Sequence, residues 1–123
     1  MSDPSPDVVL LDRRIEPSEL RRLVERFVDM AKYVVDVDRG LIALGGEMHS
    51  DAEQVLLEAG SRQADLWGAN YYPGRGRGAC IEFTSLINIR PSVGNRGMEL
   101  LDPALRERLA QITFCLVGQG EPL

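Results

Sequence analysis

The stretch from Asp65 to Asn95 constrains the fold of this chain more than any other segment. It reads DLWGANYYPGRGRGACIEFTSLINIRPSVGN. Two runs rich in β-branched and aromatic residues flank a glycine–arginine loop, a pattern that predicts two β-strands joined by a turn. The second run alternates, with apolar residues and Ser85 in one phase; the other phase is Glu82, Thr84, Leu86, Asn88 and Arg90. We therefore predict a strand over 80–91 that packs its apolar face on helices and exposes a polar row.

Three other segments carry helix signals. The first, over 16–31, has Pro17 in its first turn and an apolar stripe: Leu20, Leu23, Val24, Phe27 and Val28. In the second, SDAE matches a capping box in which Ser50 caps the helix and Glu53 reaches back, and Gly60 ends it. The third has Asp102 as N-cap, then Pro103, and a buried stripe: Leu105, Leu109, Ile112 and Leu116.

The remaining strand signals complete a fold prediction. A short β-run begins at Val8, and YVVDVDRGLIAL is a hairpin whose turn contains Gly40. The resulting order β-α-β-β-α-β-β-α predicts an α+β two-layer sandwich. Its sheet has four to five mostly antiparallel strands, and its three helices lie on one face. We expect one domain over 7–123, preceded by a disordered acidic, proline-containing tail over 1–6.

Composition excludes several classes of function. The net charge of −5 makes nucleic acid an unexpected partner, since that affinity depends on neutralising phosphates. No apolar run approaches the ~18 residues of a membrane helix, and MSDPSPD is the reverse of a signal peptide, so we expect a cytoplasmic protein and no membrane contact. No metal or cofactor motif is present, and neither is predicted. Cys80 and Cys115 lack a CxxC spacing and are predicted to be buried apolar residues.

Polar residues in loops and at strand ends are the candidates for function. His49 is the only histidine and lies just before the predicted cap, with Glu47 two residues earlier. Asp36 and Asp38 have the spacing of a carboxylate pair on one strand face, which suits either a solvent face or a metal or acid–base pair. The GRGRG loop is either a solvated hairpin tip or an anion cradle with Arg75 and Arg77. Asn88 and Arg90 lead into the turn that holds Asn95 and Arg96.

Four blocks of sequence together resemble a known family. They are GGE-H-D, GS-Q-DLWGAN, SLINIRP and GNR-MEL-DP, between Lys32 and the last helix. The combination is similar to a family of small bacterial proteins known only as a domain of unknown function, in which the position of Gly97 is often Ser. The resemblance implies a common fold, no known activity, and a common polar set: Glu47, His49, Asp51, Gln63, Trp67, Asn70, Glu82, Asn88, Arg90, Asn95 and Arg96.

Two classes of function fit these residues. The first is a binding or interaction module, either a monomer or a homodimer, with an exposed polar and aromatic sheet face; its contact residues are Trp67, Asn70, Tyr71, Tyr72, Asn88, Arg90, Asn95 and Arg96. A component of a toxin–antitoxin-like pair is a variant of it. The second is a small hydrolase or nuclease-like enzyme with His49 as general base and Glu47, Asp51 or Glu82 as orienter or second acid–base group. Arg90 and Arg96 would then hold an anionic small molecule.

Overall fold

The computed structural model describes residues 7–123, so the tail predicted over 1–6 lies outside the described residues. The strands are β1 (Val8–Leu11), β2 (Ala31–Asp36), β3 (Leu41–Gly45), β4 (Leu66–Tyr71) and β5 (Ile81–Glu82). The helices are α1 (Pro17–Glu25), α2 (His49–Glu58) and α3 (Pro103–Leu116). This order confirms the predicted α+β class, with three helices and a five-stranded sheet.

The sheet is antiparallel throughout, in the order β1-β3-β2-β4-β5. The predicted hairpin is confirmed as β2 and β3, which pair Val35 with Ile42. Gly40 makes the turn possible because its φ of 70° is a left-handed conformation that glycine adopts readily. On its other edge β2 pairs with β4, so Val35 also lies opposite Trp67. β2 is therefore the central strand of the sheet.

The helices cover both faces of the sheet, which corrects the expectation that all three lie on one face. α1 and α3 pack with Tyr33 and Val35 in the larger core, while Ala52 and Leu56 of α2 pack with Val34 in the smaller one. The physical reason is that consecutive residues of β2 point to opposite faces and are apolar in both phases. A strand that is apolar on both sides needs cover on both sides.

Two elements are shorter than predicted. α1 ends at Glu25, and the chain then turns away with a positive φ of 72° at Val28, which is 88% exposed instead of joining the stripe. The strand predicted over 80–91 is only β5, followed by 3₁₀ turns at Leu86–Asn88 and Pro91–Val93. Ser85 starts the first turn, since its hydroxyl accepts from the Ile87 N–H at 3.2 Å. The predicted polar row is therefore not one strand face.

Other details of the chain bear on the predictions. Asp102 caps α3 as predicted, accepting from Ala104 N–H at 2.8 Å with Pro103 at the first helical position. Cys80 is buried as predicted, but Cys115 is exposed, which corrects that part of the prediction. No helix within residues 7–123 has the length and apolar character that crossing a membrane requires.

The cap of α2 lies two positions earlier than predicted. Met48 is the N-cap residue, and the Asp51 carboxylate accepts from its N–H at 3.0 Å, whereas Ser50 lies in the first turn. We expect Asp51→Ala to lower the free energy of unfolding by about 1 kcal/mol, the usual loss when a capping bond is removed. Ser50→Ala, the matched control, should stay within about 0.5 kcal/mol of wild type. Urea denaturation measures both, and a larger loss for Ser50→Ala would contradict the assignment.

Candidate functional site

Three polar residues lie side by side across three neighbouring strands. Lys32 on β2 is directly opposite Asn70 on β4, and Asn70 is directly opposite Glu82 on β5. Lys32 shares the strand phase of Val34, so these three residues belong to the sheet face that α2 covers. Side chains in such cross-strand positions are close enough to interact. The three residues therefore form a polar strip beside the start of α2.

His49, the first residue of α2, is held over this strip by one hydrogen bond. Its Nε2 atom is 2.8 Å from the carbonyl oxygen of Ala69. A carbonyl oxygen only accepts, so Nε2 carries the hydrogen and Nδ1 of the neutral ring is an acceptor. Burial lowers the pKa of His49, as does the charge of Lys32, whereas the Ala69 carbonyl and the nearby Asn70 side chain oppose the change. The ring is therefore neutral at pH 7.

Asn70 carries the least usual feature of the strip. Its amide nitrogen donates to the Glu82 carboxylate at 2.7 Å, and the Tyr72 hydroxyl donates to the same oxygen at 3.2 Å. This contact fixes the orientation of the amide, because the reverse orientation would set its oxygen against a carboxylate. The amide oxygen is then buried without a hydrogen-bond partner among residues 7–123. Leaving such an atom unpaired costs about 1–3 kcal/mol.

A cleft of about 320 Å³ opens between these residues, and we name it the His49 cleft. Its polar lining includes Lys32, His49 and Asn70, and its walls are mostly apolar: Met48, Leu86, Ile87 and Met98. Lys32 donates through Nζ to the backbone carbonyl of Glu47 at 3.0 Å. No carboxylate side chain among residues 7–123 lines the cleft.

The half-buried His49 should make folding sensitive to mild acid. A group whose folded pKa is depressed stabilises the fold fully above its unfolded pKa, and that contribution is lost as the pH falls through the folded pKa. We therefore expect the wild-type free energy of unfolding to fall more steeply than that of His49→Gln between about pH 7 and about pH 5. Urea denaturation at each pH measures the difference. Parallel curves for the two proteins would contradict this assignment.

The structure brings together part of the predicted candidate set. Asn70, Glu82 and Tyr72 form one hydrogen-bonded group beside the cleft, and His49, which bonds the Ala69 carbonyl, lies next to that group. Glu47 contributes its backbone carbonyl, and its side chain is exposed. Sequence reasoning missed Lys32. A charged residue that shares the strand phase of the apolar Val34 could have been noticed in the sequence. Its position opposite Asn70 could not, because that depends on the register of β2 with β4.

Asn88 lies apart from the cleft and joins the backbone of two segments. It is fully buried, its oxygen accepts from Gly68 N–H at 2.8 Å, and its nitrogen donates to the carbonyl oxygens of Gly68 at 3.0 Å and Met98 at 3.1 Å. A Cβ at Gly68 would be 2.6 Å from that of Ser85, so only glycine permits this close approach. These bonds give Asn88 a structural role, because its side chain links β4 to the backbone at Met98 where the predicted strand is absent.

Arg90 and Asn95 border a second cleft, of about 820 Å³. The Arg90 guanidinium lies 4.2 Å from the Trp67 ring and donates to the carbonyl oxygens of Ala64 and Leu66. Burial lowers its pKa, and no ion pair among residues 7–123 includes it. The Asn95 amide bonds the backbone around it, accepting from Leu101 N–H at 3.1 Å and donating to the Asn88 carbonyl at 2.8 Å. Both polar groups are therefore engaged by the protein.

The aromatic contact surface expected on β4 is not available. Trp67 and Tyr71 are 4% and 1% exposed and belong to the larger core, which corrects the expectation for these two residues. Tyr72 is half-buried, with the Arg75 guanidinium 3.8 Å from its ring. Arg96 is exposed on the turn after Asn95.

Two further candidates have structural explanations. Asp36, Asp38 and Asp65 hold carboxylate oxygens within 4.8 Å of one another. Asp36 is buried, however, and its oxygens accept from two backbone N–H groups of the hairpin turn and from the Ser61 hydroxyl at 2.6 Å. In the GRGRG loop, Gly74 and Gly76 donate their N–H groups to the carbonyl of Gly120 at 3.0 Å. The loop is docked on the end of the chain instead of forming an open anion cradle.

Comparison with known proteins gives one finding. A family model described as Protein of unknown function (DUF5674) matches residues 9–116, a range that contains every residue of the His49 cleft. No curated protein and no solved structure matches the chain.

Proposed function

We propose that this chain, which belongs to the family described as Protein of unknown function (DUF5674), binds a small molecule in the His49 cleft through a hydrogen-bond donor on that molecule. The observation that carries the proposal is the buried Asn70 amide oxygen, which has no partner among residues 7–123. Buried polar atoms of folded proteins are nearly always paired, so this exception, on a residue that lines a cleft, supports a ligand donor as the missing partner.

The surroundings of Asn70 support this proposal. Nδ1 of the neutral His49 ring is a second acceptor in the same lining, since Nε2 donates to Ala69. Both groups are oriented by the protein, His49 by the Ala69 carbonyl and Asn70 by Glu82. The apolar walls and the volume of about 320 Å³ suit a small organic molecule, because ligand pockets commonly span roughly 300–1,000 Å³.

Proton transfer is a second candidate function, and the state of His49 favours it. A neutral imidazole whose Nε2–H is fixed by a carbonyl offers Nδ1 as a general base toward a bound hydroxyl or water. This is the enzyme hypothesis that the sequence raised for His49. A homodimer, a protein partner and a cytoplasmic location stay predictions that rest on the sequence.

The proposal is tested by screening neutral fragments that carry hydroxyl, amide or amine groups, with ¹H–¹⁵N NMR as the readout. We expect shift changes to cluster at the amides of Lys32, His49, Asn70 and Ser85. Asn70→Leu should abolish them, because it removes the unpaired acceptor. Ser92→Ala, an exposed position in the lining of the second cleft, is the matched control and should bind like wild type. Hits that map to the second cleft, or that survive in Asn70→Leu, would overturn the proposal.

A further inference from the structure

We infer that the ligand of the His49 cleft is a small organic acid with a donor group on the carbon next to its carboxylate, such as a 2-hydroxy or 2-amino acid. This inference rests on the proposed function and adds the class of ligand. It has three supports in the structure: the charge of the cleft lining, the free donors around it, and the strand register that sets Lys32 directly opposite Asn70.

The charge of the lining is positive in an acidic protein. The chain has 19 acidic and 14 basic residues, yet the residues that line the cleft include Lys32 and no carboxylate. Because His49 is neutral, Lys32 is the one formal charge in that lining among residues 7–123. A ligand with a single negative charge complements it.

The Lys32 ammonium has hydrogen-bond donors that its contact with Glu47 does not use. An ammonium carries three N–H groups, and one of them reaches the Glu47 carbonyl. None of the ion pairs within the described residues involves Lys32. Its charge is therefore available to an incoming carboxylate.

The start of α2 adds donors beside Lys32. The backbone N–H groups of His49 and Ser50 have no acceptor within residues 7–123, and both residues line the cleft. The partial positive charge of a helix N-terminus favours an anion there. Asp51 caps the Met48 N–H and is not in the lining, so it leaves these two donors free.

The position of Asn70 sets the second group of the ligand. Lys32 and Asn70 are direct cross-strand partners, whose Cβ atoms in such pairs are about 4.5–5.5 Å apart. Because both side chains line the same cleft, we expect one small molecule to place a carboxylate at Lys32 and an adjacent hydroxyl or ammonium at the unpaired Asn70 oxygen. The apolar walls then receive its side chain.

Four matched probes test the inference by NMR titration: mandelate, phenylglycine, phenylacetate and styrene glycol. The first two carry the carboxylate and the donor, phenylacetate lacks the donor, and styrene glycol lacks the carboxylate. We expect mandelate or phenylglycine to bind at least about tenfold more tightly than the other two probes. The better of the two acids identifies whether the donor is a hydroxyl or an ammonium.

Variants separate the two recognition groups. Lys32→Met should reduce acid binding to the level of styrene glycol and leave styrene glycol unchanged, whereas Asn70→Leu should reduce mandelate to the level of phenylacetate. Arg13→Met, which removes a positive charge at an exposed site, is the control for net charge and should change neither affinity.

The possible failures are distinguishable. If Lys32→Met binds mandelate as wild type does, or styrene glycol binds as tightly as mandelate, the acid inference is overturned while the proposed function stands. If none of the four probes binds wild type below about 10 mM, the acid inference is also overturned. The proposed function itself fails if the neutral fragment screen finds no binder in this cleft, or if its hits map to the second cleft or survive in Asn70→Leu.

Discussion

Replacing Asn88 with alanine is expected to lower the free energy of unfolding by about 2–5 kcal/mol. The side chain is fully buried and serves the N–H and the carbonyl of Gly68 as well as the carbonyl of Met98. Removing it leaves these backbone groups without partners, and each unsatisfied buried group costs about 1–3 kcal/mol. The loss should therefore exceed that of an ordinary polar substitution.

Equilibrium urea denaturation measures this effect directly. Gln54→Ala, at an exposed position on α2, is the control for loss of a side-chain amide and should stay within about 0.5 kcal/mol of wild type. A midpoint for Asn88→Ala within error of wild type would show that the Gly68 backbone finds other partners, and Asn88 would lose its structural assignment.

The second large effect is expected at Leu109, which is fully buried in the middle of α3. Leu109→Ala should lower the free energy of unfolding by about 2–5 kcal/mol, because it removes apolar contacts and leaves a cavity in the larger core. Leu101→Ala is the matched control, since that leucine is 61% exposed. Guanidinium denaturation compares the two, and equal midpoints would show that the α3 stripe contributes no more than a surface position.

The parts of the fold that could be predicted depend on local signals. The β2–β3 hairpin needed only alternation and Gly40, and α3 needed only the Asp102 cap with its apolar stripe. The side on which α2 packs was readable from the apolar pair Val34 and Val35, which predicts cover on both faces. Two adjacent apolar residues in a central strand are better evidence for helices on both faces than the number of helices is for helices on one face.

The strand prediction over 80–91 was wrong because side-chain hydrogen bonds take the place of strand pairing in this segment. Alternation over 80–91 is typical of a strand, but Ser85 caps a 3₁₀ turn and the Asn88 amide bonds the backbone of β4 in place of a strand. Neither contact follows from periodicity, because each depends on which groups the fold brings together. The same alternation predicted one functional row, whereas Asn88 lies in the scaffold between β4 and the segment around Met98.

The candidate site could be predicted only in part. His49 and Asn70 were candidates from residue type, loop position and family resemblance. Lys32 entered through the register of β2 with β4, and the unpaired oxygen of Asn70 depends on the direction in which Glu82 holds the amide. Register and amide orientation are properties of the folded chain, so no local pattern encodes them.

The central claim is that the fold tolerates an unpaired oxygen at Asn70 because a ligand uses it. The most direct measurement is the free energy of unfolding of Asn70→Leu without ligand. Leucine removes the buried unpaired oxygen, and the Glu82 carboxylate that loses its amide partner is exposed to water. We expect a stability within about 1 kcal/mol of wild type, or higher, since replacing an unsatisfied polar group by an apolar one of similar size is close to neutral. A loss of about 3 kcal/mol or more, in the range expected for Asn88→Ala, would contradict the claim and make Asn70 part of the scaffold.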